Sequence, residues 1–180
     1  MEQVNEGKEL FHTYYKDVFR ACYYMVQNKY DAEDLCQDVF AKALCEDFQA
    51  IQNQKSWLLS IAMNMSRNYL KNNKRMILKE TVQLLTFMRF GDSLTIEQKI
   101  EKSESKSEVV ELMNKLPIRL RKVMVLKYVH ECKDKEIADI LKIPEGTVRS
   151  RHFKGKQLIK KLIQEDKNLF IEWRNGLEKY

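Results

Sequence analysis

Residues 134–154 read DKEIADILKIPEGTVRSRHFK, which predicts two short helices around a tight turn, a helix-turn-helix. Pro144 separates the two helical patterns, because a proline inside a helix removes a backbone hydrogen bond. Thr147 is predicted to cap the second helix, and Ala138 is small enough to let the helices cross closely. The residues predicted to face each other are Ile137, Leu141, Ile143 and Val148. This motif makes DNA the first candidate partner.

The second helix of the motif carries side chains suited to DNA. Its first turns present donors for phosphates and for base edges, namely Arg149, Ser150, Arg151 and Lys154. Gly155 lies in the middle of this helix at a cost of about 1 kcal/mol, which indicates close packing against a neighbour. The chemistry expected of this segment is recognition rather than turnover.

Composition favours an all-α fold of two small helical domains. The 180 residues are 44% hydrophobic, with only 5 glycines and 2 prolines for turns. The net charge of +6 is unevenly distributed along the chain. Residues 109–163 hold 14 basic and 6 acidic side chains, whereas residues 28–50 hold 2 basic and 6 acidic ones. The first segment suits a polyanion and the second suits a basic protein.

Several function classes find no support in the sequence. There is no apolar run that could span a bilayer and no signal-peptide pattern, so we expect a cytoplasmic protein. There is also no glycine-rich phosphate loop and no clustered histidine set. The four cysteines lack Cys-x-x-Cys spacing and are expected to be reduced: Cys22, Cys36, Cys45 and Cys132. We therefore expect no metal, no cofactor, no small-molecule substrate and no enzymatic activity.

Helical periodicity divides the chain into four parts. Residues 1–79 form the first predicted domain, in which Asp31 and Ser56 are the predicted caps of the second and third helices. Residues 80–107 are predicted to be a flexible linker, with a polar end and an apolar stretch at 82–90. Residues 108–163 form the predicted four-helix domain with the helix-turn-helix, and 164–180 form an amphipathic tail.

Four motifs in this order resemble the extracytoplasmic-function (ECF) sigma factors of bacteria, members of the sigma-70 family. They are residues 31–40 (DAEDLCQDVF), 57–64 (WLLSIAMN), 116–117 (LP) and 146–151 (GTVRSR). The resemblance implies that 1–79 is a region 2 domain and that 108–163 is a region 4 domain. It further implies binding to core RNA polymerase and promoter DNA, an anti-sigma factor as regulator, and a monomer outside the holoenzyme.

The resemblance also assigns roles to individual residues. The face expected to bind a basic coiled coil of the polymerase consists of Asp34, Gln37 and Asp38, which share one side of a helix. Residues expected to capture the melted minus-ten strand are Asn64, Arg67, Asn68, Lys71, Lys74 and Arg75. The helical spacing of Trp57 and Tyr69 predicts that they belong to the core, and stacking on bases is the alternative. Residues expected at the minus-thirty-five element are Thr147, Arg149, Ser150, Arg151, Phe153, Lys154 and Lys156.

One position departs from the family pattern. The family usually places an apolar residue before a basic or histidine residue, whereas here His152 precedes Phe153. A step of 100° per residue from an inward Val148 puts His152 near the buried side and Phe153 beside Arg149. Phe153 therefore either touches a thymine methyl group or packs inward after local repacking, and repacking is the favoured interpretation.

Two other functions fit parts of the sequence. A helix-turn-helix regulator that never enters the polymerase requires only the second domain. A sigma-like module that binds polymerase without reading promoters requires only the first. The acidic face around Asp38, followed by Trp57 and a basic helix, favours the sigma factor over the ordinary regulator.

Overall fold

The structure is a computed structural model that describes residues 2–88 and 108–165, with side chains for 6–73 and 109–164. The described residues form seven α-helices and a short 3-10 helix, Phe48–Ala50, without strands. The α-helices are α1 (Glu2–Val26), α2 (Lys29–Leu44), α3 (Gln54–Met88), α4 (Glu108–Lys115), α5 (Ile118–Tyr128), α6 (Asp134–Leu141) and α7 (Glu145–Glu165). The predicted all-α fold is confirmed. None of these helices is long and apolar enough to span a membrane.

Helices α1, α2 and α3 pack on one another and form the N-terminal unit. The apolar residues of α1 recur at three- and four-residue spacing, so one face of this helix is buried. The same spacing in α2 and α3 buries their inward faces. Side chains with no exposed surface include Val18, Cys22, Met25, Val39, Leu58 and Met63. This core fixes the rotation of α2 and α3, and hence which of their side chains face solvent.

Two asparagines cap the helices of the N-terminal unit. The Asn28 side chain accepts hydrogen bonds from the backbone N–H groups of Tyr30 at 2.9 Å and Asp31 at 3.2 Å, and α2 begins at Lys29. Asn53 accepts a hydrogen bond from the N–H of Ser56 at 3.0 Å, so α3 begins at Gln54. The predictions that Asp31 and Ser56 are N-caps are therefore wrong. Both residues lie inside the first turn of their helices. There the carboxylate of Asp31 still interacts favourably with the positive end of the α2 dipole.

Helices α4 to α7 form the C-terminal unit, and α6 and α7 form the helix-turn-helix. Lys142 ends α6 in the left-handed conformation (φ 52°), and its N–H bonds back to α6. Pro144 then stands immediately before α7, where its missing N–H costs no helical hydrogen bond. Ile137 and Val148 are fully buried between the two helices. Across the other end of α6, the Glu136 carboxylate accepts from the N–H of Lys133 at 2.6 Å.

The two units contact each other along α1 and α3. Helix α1 packs against α4 and α5, and α3 packs against α6. The Arg121 guanidinium donates to the backbone carbonyl of Met25 at 2.6 Å, and the Gln27 amide donates to the carbonyl of Val110. One continuous hydrophobic cluster includes residues of both units. The two cores are therefore in contact in this structure.

The division into domains and linker remains a prediction. Helix α3 continues to Met88, and so enters the segment 80–107 that we assigned to the linker. Residues 89–107 and 166–180 lie outside the described part of the chain. The apolar stretch at 82–90 and the amphipathic tail keep the roles given to them from sequence alone.

Gly155 and Gly146 provide a matched pair of stability tests within α7. A Cβ atom at Gly155 would lie 2.8 Å from the sulfur and 3.1 Å from Cγ of buried Met124. Overpacking costs about 1–3 kcal/mol, against about 1 kcal/mol gained from helix propensity. We expect Gly155→Ala to lower the unfolding temperature.

The control is Gly146→Ala, because a Cβ atom at Gly146 meets no atom within 4 Å. This substitution should leave the unfolding temperature unchanged or raise it. Thermal unfolding followed by circular dichroism measures both. A Gly155→Ala protein as stable as Gly146→Ala would contradict the packing of α5 against α7.

Candidate protein and nucleic-acid interfaces

The acidic face of α2 is solvent-exposed along its whole length. Asp34, Gln37 and Asp38 are all exposed, and they lie opposite Leu35 and Val39 in the core. Because these positions are separated by three and four residues, their side chains point the same way. The structure brings together the three residues predicted to bind the polymerase. Two carboxylates and an amide on a rigid helix form a surface suited to a basic partner.

The polar face of α3 carries the residues predicted to hold the minus-ten strand. All four with described side chains are exposed and recur with helical spacing: Asn64, Arg67, Asn68 and Lys71. The side chains of Lys74 and Arg75 lie outside the described residues, although both positions belong to α3. Cations and amides in one row provide both the charge and the hydrogen-bonding groups that a single strand requires.

Two aromatic residues of α3 support the predicted core role. Trp57 and Tyr69 are half-buried and pack against the hydrophobic cluster. Burial raises the pKa of Tyr69, and a hydrogen bond with Asp31 raises it further.

Five candidate residues on the outer face of α7 are exposed, namely Arg149, Ser150, Phe153, Lys154 and Lys156, whereas Thr147 and Arg151 are half-buried. Thr147 is not the N-cap that we predicted, because α7 begins at Glu145 and the Thr147 N–H bonds to the carbonyl of Pro144 at 2.9 Å. Its own carbonyl accepts from the Ser150 hydroxyl at 3.1 Å. Thr147 therefore lies half-buried at the edge of the outer face.

Arg149 is held by two carboxylates. Its guanidinium pairs with Glu145 one turn earlier, and its Nε lies 3.9 Å from Asp134 on α6. Asp134 also accepts from Lys127 at 2.7 Å, and this hydrogen bond keeps its pKa below the ordinary value. Arg149 is still 68% exposed. Exposed ion pairs contribute about 0–1 kcal/mol, so a phosphate or a guanine edge can replace these partners.

The rotation of α7 resolves the alternative left open at Phe153. His152 is half-buried, and its Nε2 lies 2.8 Å from the hydroxyl oxygen of Tyr128 on α5. Burial lowers the pKa of His152, which favours the neutral ring in this hydrogen bond. Phe153 is 62% exposed on the outer face. The favoured interpretation, that Phe153 packs inward, is therefore wrong, because His152 occupies the inward position.

The cysteines provide neither a metal site nor a reactive thiol in the core. Within residues 2–88 and 108–165, no group of three potential ligands comes together. Burial raises the pKa of Cys36 to about 12 and that of Cys22 to about 11. Both side chains therefore stay as thiols near neutral pH, and pack as small apolar groups.

Sequence comparison places both units in one family. The family model described as sigma-70 region 2 matches residues 10–76, and the model described as sigma-70 region 4 matches residues 106–159. A sigma-E factor of Haemophilus influenzae, named as an ECF RNA polymerase sigma factor, is 32% identical over 74% of this chain and 75% of its own length. The chain belongs to the ECF sigma factors. Another ECF sigma factor, SigW of Bacillus subtilis, is 29% identical over 84% of this chain and 86% of its own length.

Solved structures share the fold of this ECF sigma factor. The sigma factor RpoE from Bartonella quintana, in complex with the anti-sigma factor NepR, aligns with a TM-score of 0.66. It is 20% identical, with 88% of this chain and 97% of that chain covered. CnrH in complex with the cytosolic domain of CnrY aligns with a TM-score of 0.63 at 19% identity, over 89% and 88% of the two chains. At these identities the likeness establishes the fold.

The exposure of Phe153 leads to a stability prediction. Phe153→Ala should change the free energy of unfolding by no more than about 0.5 kcal/mol, as surface substitutions usually do. The control is Ile159→Ala on the same helix, where a fully buried side chain is removed and about 2–5 kcal/mol should be lost. Urea unfolding measures both values. Equal losses would mean that Phe153 packs inward.

Proposed function

We propose that this chain is an RNA polymerase sigma factor that binds core polymerase and directs it to specific promoters. The observation that carries the proposal is one chain holding an exposed acidic face on α2 and exposed DNA-suited faces on α3 and α7. The matches to region 2 and region 4 support it. The role requires no catalytic residue of its own, and it would be performed in the cytoplasm, where the polymerase works.

Each face would perform one part of initiation. The carboxylates of Asp34 and Asp38 would orient the sigma factor on a basic surface of the polymerase and increase the rate of encounter. Asn64, Arg67, Asn68 and Lys71 would bind unstacked bases and phosphates of the minus-ten strand. Binding only the open strand shifts the duplex toward opening by the difference in affinity, so melting needs no chemical step. Arg149 and Lys154 would read the major groove at the minus-thirty-five element.

Reading both elements requires the two units to separate. The elements lie about 25 base pairs apart, which corresponds to roughly 85 Å at 3.4 Å per base pair. In this structure α3 packs against α6, the helix that precedes the recognition helix α7. Lys122 on α5 is buried. Burial, with the charges of Arg67 on α3 and Arg151 on α7, lowers its pKa to about 8. The structure therefore corresponds to a closed form that differs from the promoter-bound one.

A regulatory protein partner fits this closed form. Two structural neighbours are complexes, one with the anti-sigma factor NepR and one with the cytosolic domain of CnrY. We propose that this chain likewise has an anti-sigma factor, and that outside such complexes and the holoenzyme it is a monomer. Size-exclusion chromatography with light scattering tests the monomer.

Run-off transcription tests the proposed function. The reaction contains bacterial core polymerase, this protein and a pool of promoter fragments, and the RNA start sites are mapped. Discrete starts sharing two upstream elements would establish the sigma factor. Stable binding to core without transcripts would favour the polymerase-interaction module, and DNA binding without core binding would favour the ordinary helix-turn-helix regulator.

Asp38→Arg should weaken the affinity for core polymerase by about tenfold, which corresponds to about 1.4 kcal/mol. The substitution puts a cation on a face proposed to meet a basic surface. The matched control is Asp47→Arg, because Asp47 is exposed but lies after α2, outside the acidic face. Fluorescence titration with core polymerase measures both. Equal affinities for the two variants would contradict the assignment of the α2 face.

Asn64→Ala combined with Lys71→Ala should impair promoter opening more than polymerase recruitment. The two exposed side chains are proposed to contact only the melted strand, so the closed complex would form normally. Permanganate reactivity of thymines near the start site measures opening, and gel retardation measures recruitment. Unchanged permanganate reactivity in the double variant would remove α3 from the minus-ten assignment.

A further inference from the structure

We propose that the contact between the two units is a reversible intramolecular latch, and that His130 makes this latch open in acid. The latch consists of polar groups that cross from the N-terminal unit to the C-terminal unit. Its members are Arg121, Gln27 and His130, with Met25, Val110 and Asp17 as their partners. The roles of the α2, α3 and α7 faces do not require these residues.

Two members of the latch are buried groups that water can satisfy once the units separate. Arg121 is 5% exposed and Gln27 is 4% exposed, and each donates to a backbone carbonyl of the other unit. Gln27 follows the last residue of α1 in the left-handed conformation (φ 62°), which directs it out of the helix. Exchanging such bonds for water costs about 1 kcal/mol each. The polar part of the contact can therefore break without leaving unpaired groups.

His130 is the member of the latch whose ring takes up a proton near pH 6.5 once the units separate. It lies just after α5, its side chain is completely buried, and its Nδ1 is 3.5 Å from a carboxylate oxygen of Asp17 on α1. This distance is too long for a strong hydrogen bond, and neither ring nitrogen has another partner among the described residues. Asp17 is also shared with Lys55 of α3 at 3.2 Å. The remaining charge facing the ring is Arg20 of α1.

These surroundings favour the neutral ring. Burial is the largest effect and lowers the pKa of His130 to about 4, while Lys55 and Arg20 oppose the attraction of Asp17. In separated units the ring would regain its ordinary pKa near 6.5. The closed form then binds fewer protons than the open form, so closure weakens as the pH falls below 6.5. Between pH 7.5 and pH 5.5 the closing equilibrium constant should fall about tenfold.

The second buried cation at this contact acts in the same direction. The pKa of Lys122 is lowered to about 8 in the closed form. Its proton uptake on opening therefore also favours the open form in acid, although most of that effect occurs above pH 8. Asp17, the carboxylate that faces His130, is itself paired with Lys55 of the same unit. His130 should therefore dominate the pH response below pH 7.

The consequence for transcription rests on the proposed function. In the closed form α3 and the C-terminal unit are in contact, so the two promoter-reading faces cannot reach elements roughly 85 Å apart. Acidification would increase the fraction of chains ready to bind a promoter, because apparent affinity scales with the fraction in the competent state. The latch would then couple the chain's availability to cytoplasmic pH without a partner.

Single-molecule energy transfer on the full chain tests the latch without polymerase. One dye is placed on the exposed Cys45 and the other on a cysteine introduced at exposed Gln157, in a Cys132→Ser background. The same pair is measured in a Gln27→Ala chain, which lacks one latch hydrogen bond. The closed-to-open ratio should then be measurable in at least one of the two chains, with or without the Gln27→Ala substitution. Circular dichroism at each pH verifies that both units stay folded.

The expected result is an approximately tenfold fall in the closed-to-open ratio from pH 7.5 to pH 5.5, which His130→Gln abolishes. His12→Gln is the matched control, because His12 is exposed on α1, and it should keep the full response. The same acid response in the His130→Gln chain would overturn the role of His130. A ratio independent of pH in both backgrounds would overturn opening in acid, and a ratio unchanged by Gln27→Ala would overturn the latch. Because polymerase is absent, none of these results depends on the run-off assay.

Discussion

One buried guanidinium links the turn between α4 and α5 to the contact between the two units. Arg121 donates to the carbonyl oxygens of Asn114 and Leu116 at 2.6 and 3.2 Å, which secures the turn between α4 and α5. It also reaches Met25 across the contact between the units. An arginine cannot lose its charge in a protein, so burial must be compensated by acceptors. Backbone carbonyls provide them, and local and long-range structure are therefore fixed by the same side chain.

Helix rotation then decides which surfaces are available for function. The core holds α2 through Val39 and α3 through Leu58, and the acidic and cationic faces follow on the opposite sides. The same holds for α7, where Val148 and Ile159 are fully buried and Lys154 is exposed. The proposed function requires surfaces of opposite charge at defined positions. The packing of a few apolar residues is sufficient to place them.

Sequence reasoning was least successful at helix ends and at buried polar groups. Asp31, Ser56 and Thr147 are plausible caps by residue type, yet Asn28 and Asn53 cap α2 and α3, and α7 begins at Glu145. Several residues near a helix start can act as the cap, and tertiary packing selects the first helical residue. Arg121 and His130 have no periodic signal, because their partners lie 96 and 113 residues earlier in the chain. No sequence pattern connects such distant groups.

The sequence by itself determined the all-α fold, the helix-turn-helix and the shared faces of α2 and α3. These features follow from the 3.6-residue period, which acts within a few residues. Helix geometry alone places His152 near the buried side, but only the tertiary structure decided that no repacking turns Phe153 inward, since Tyr128 on α5 provides the partner for the histidine. It alone also decided that the units meet through Arg121, Gln27 and His130. Contacts between distant segments depend on how the helices pack, and local periodicity carries no information about that packing.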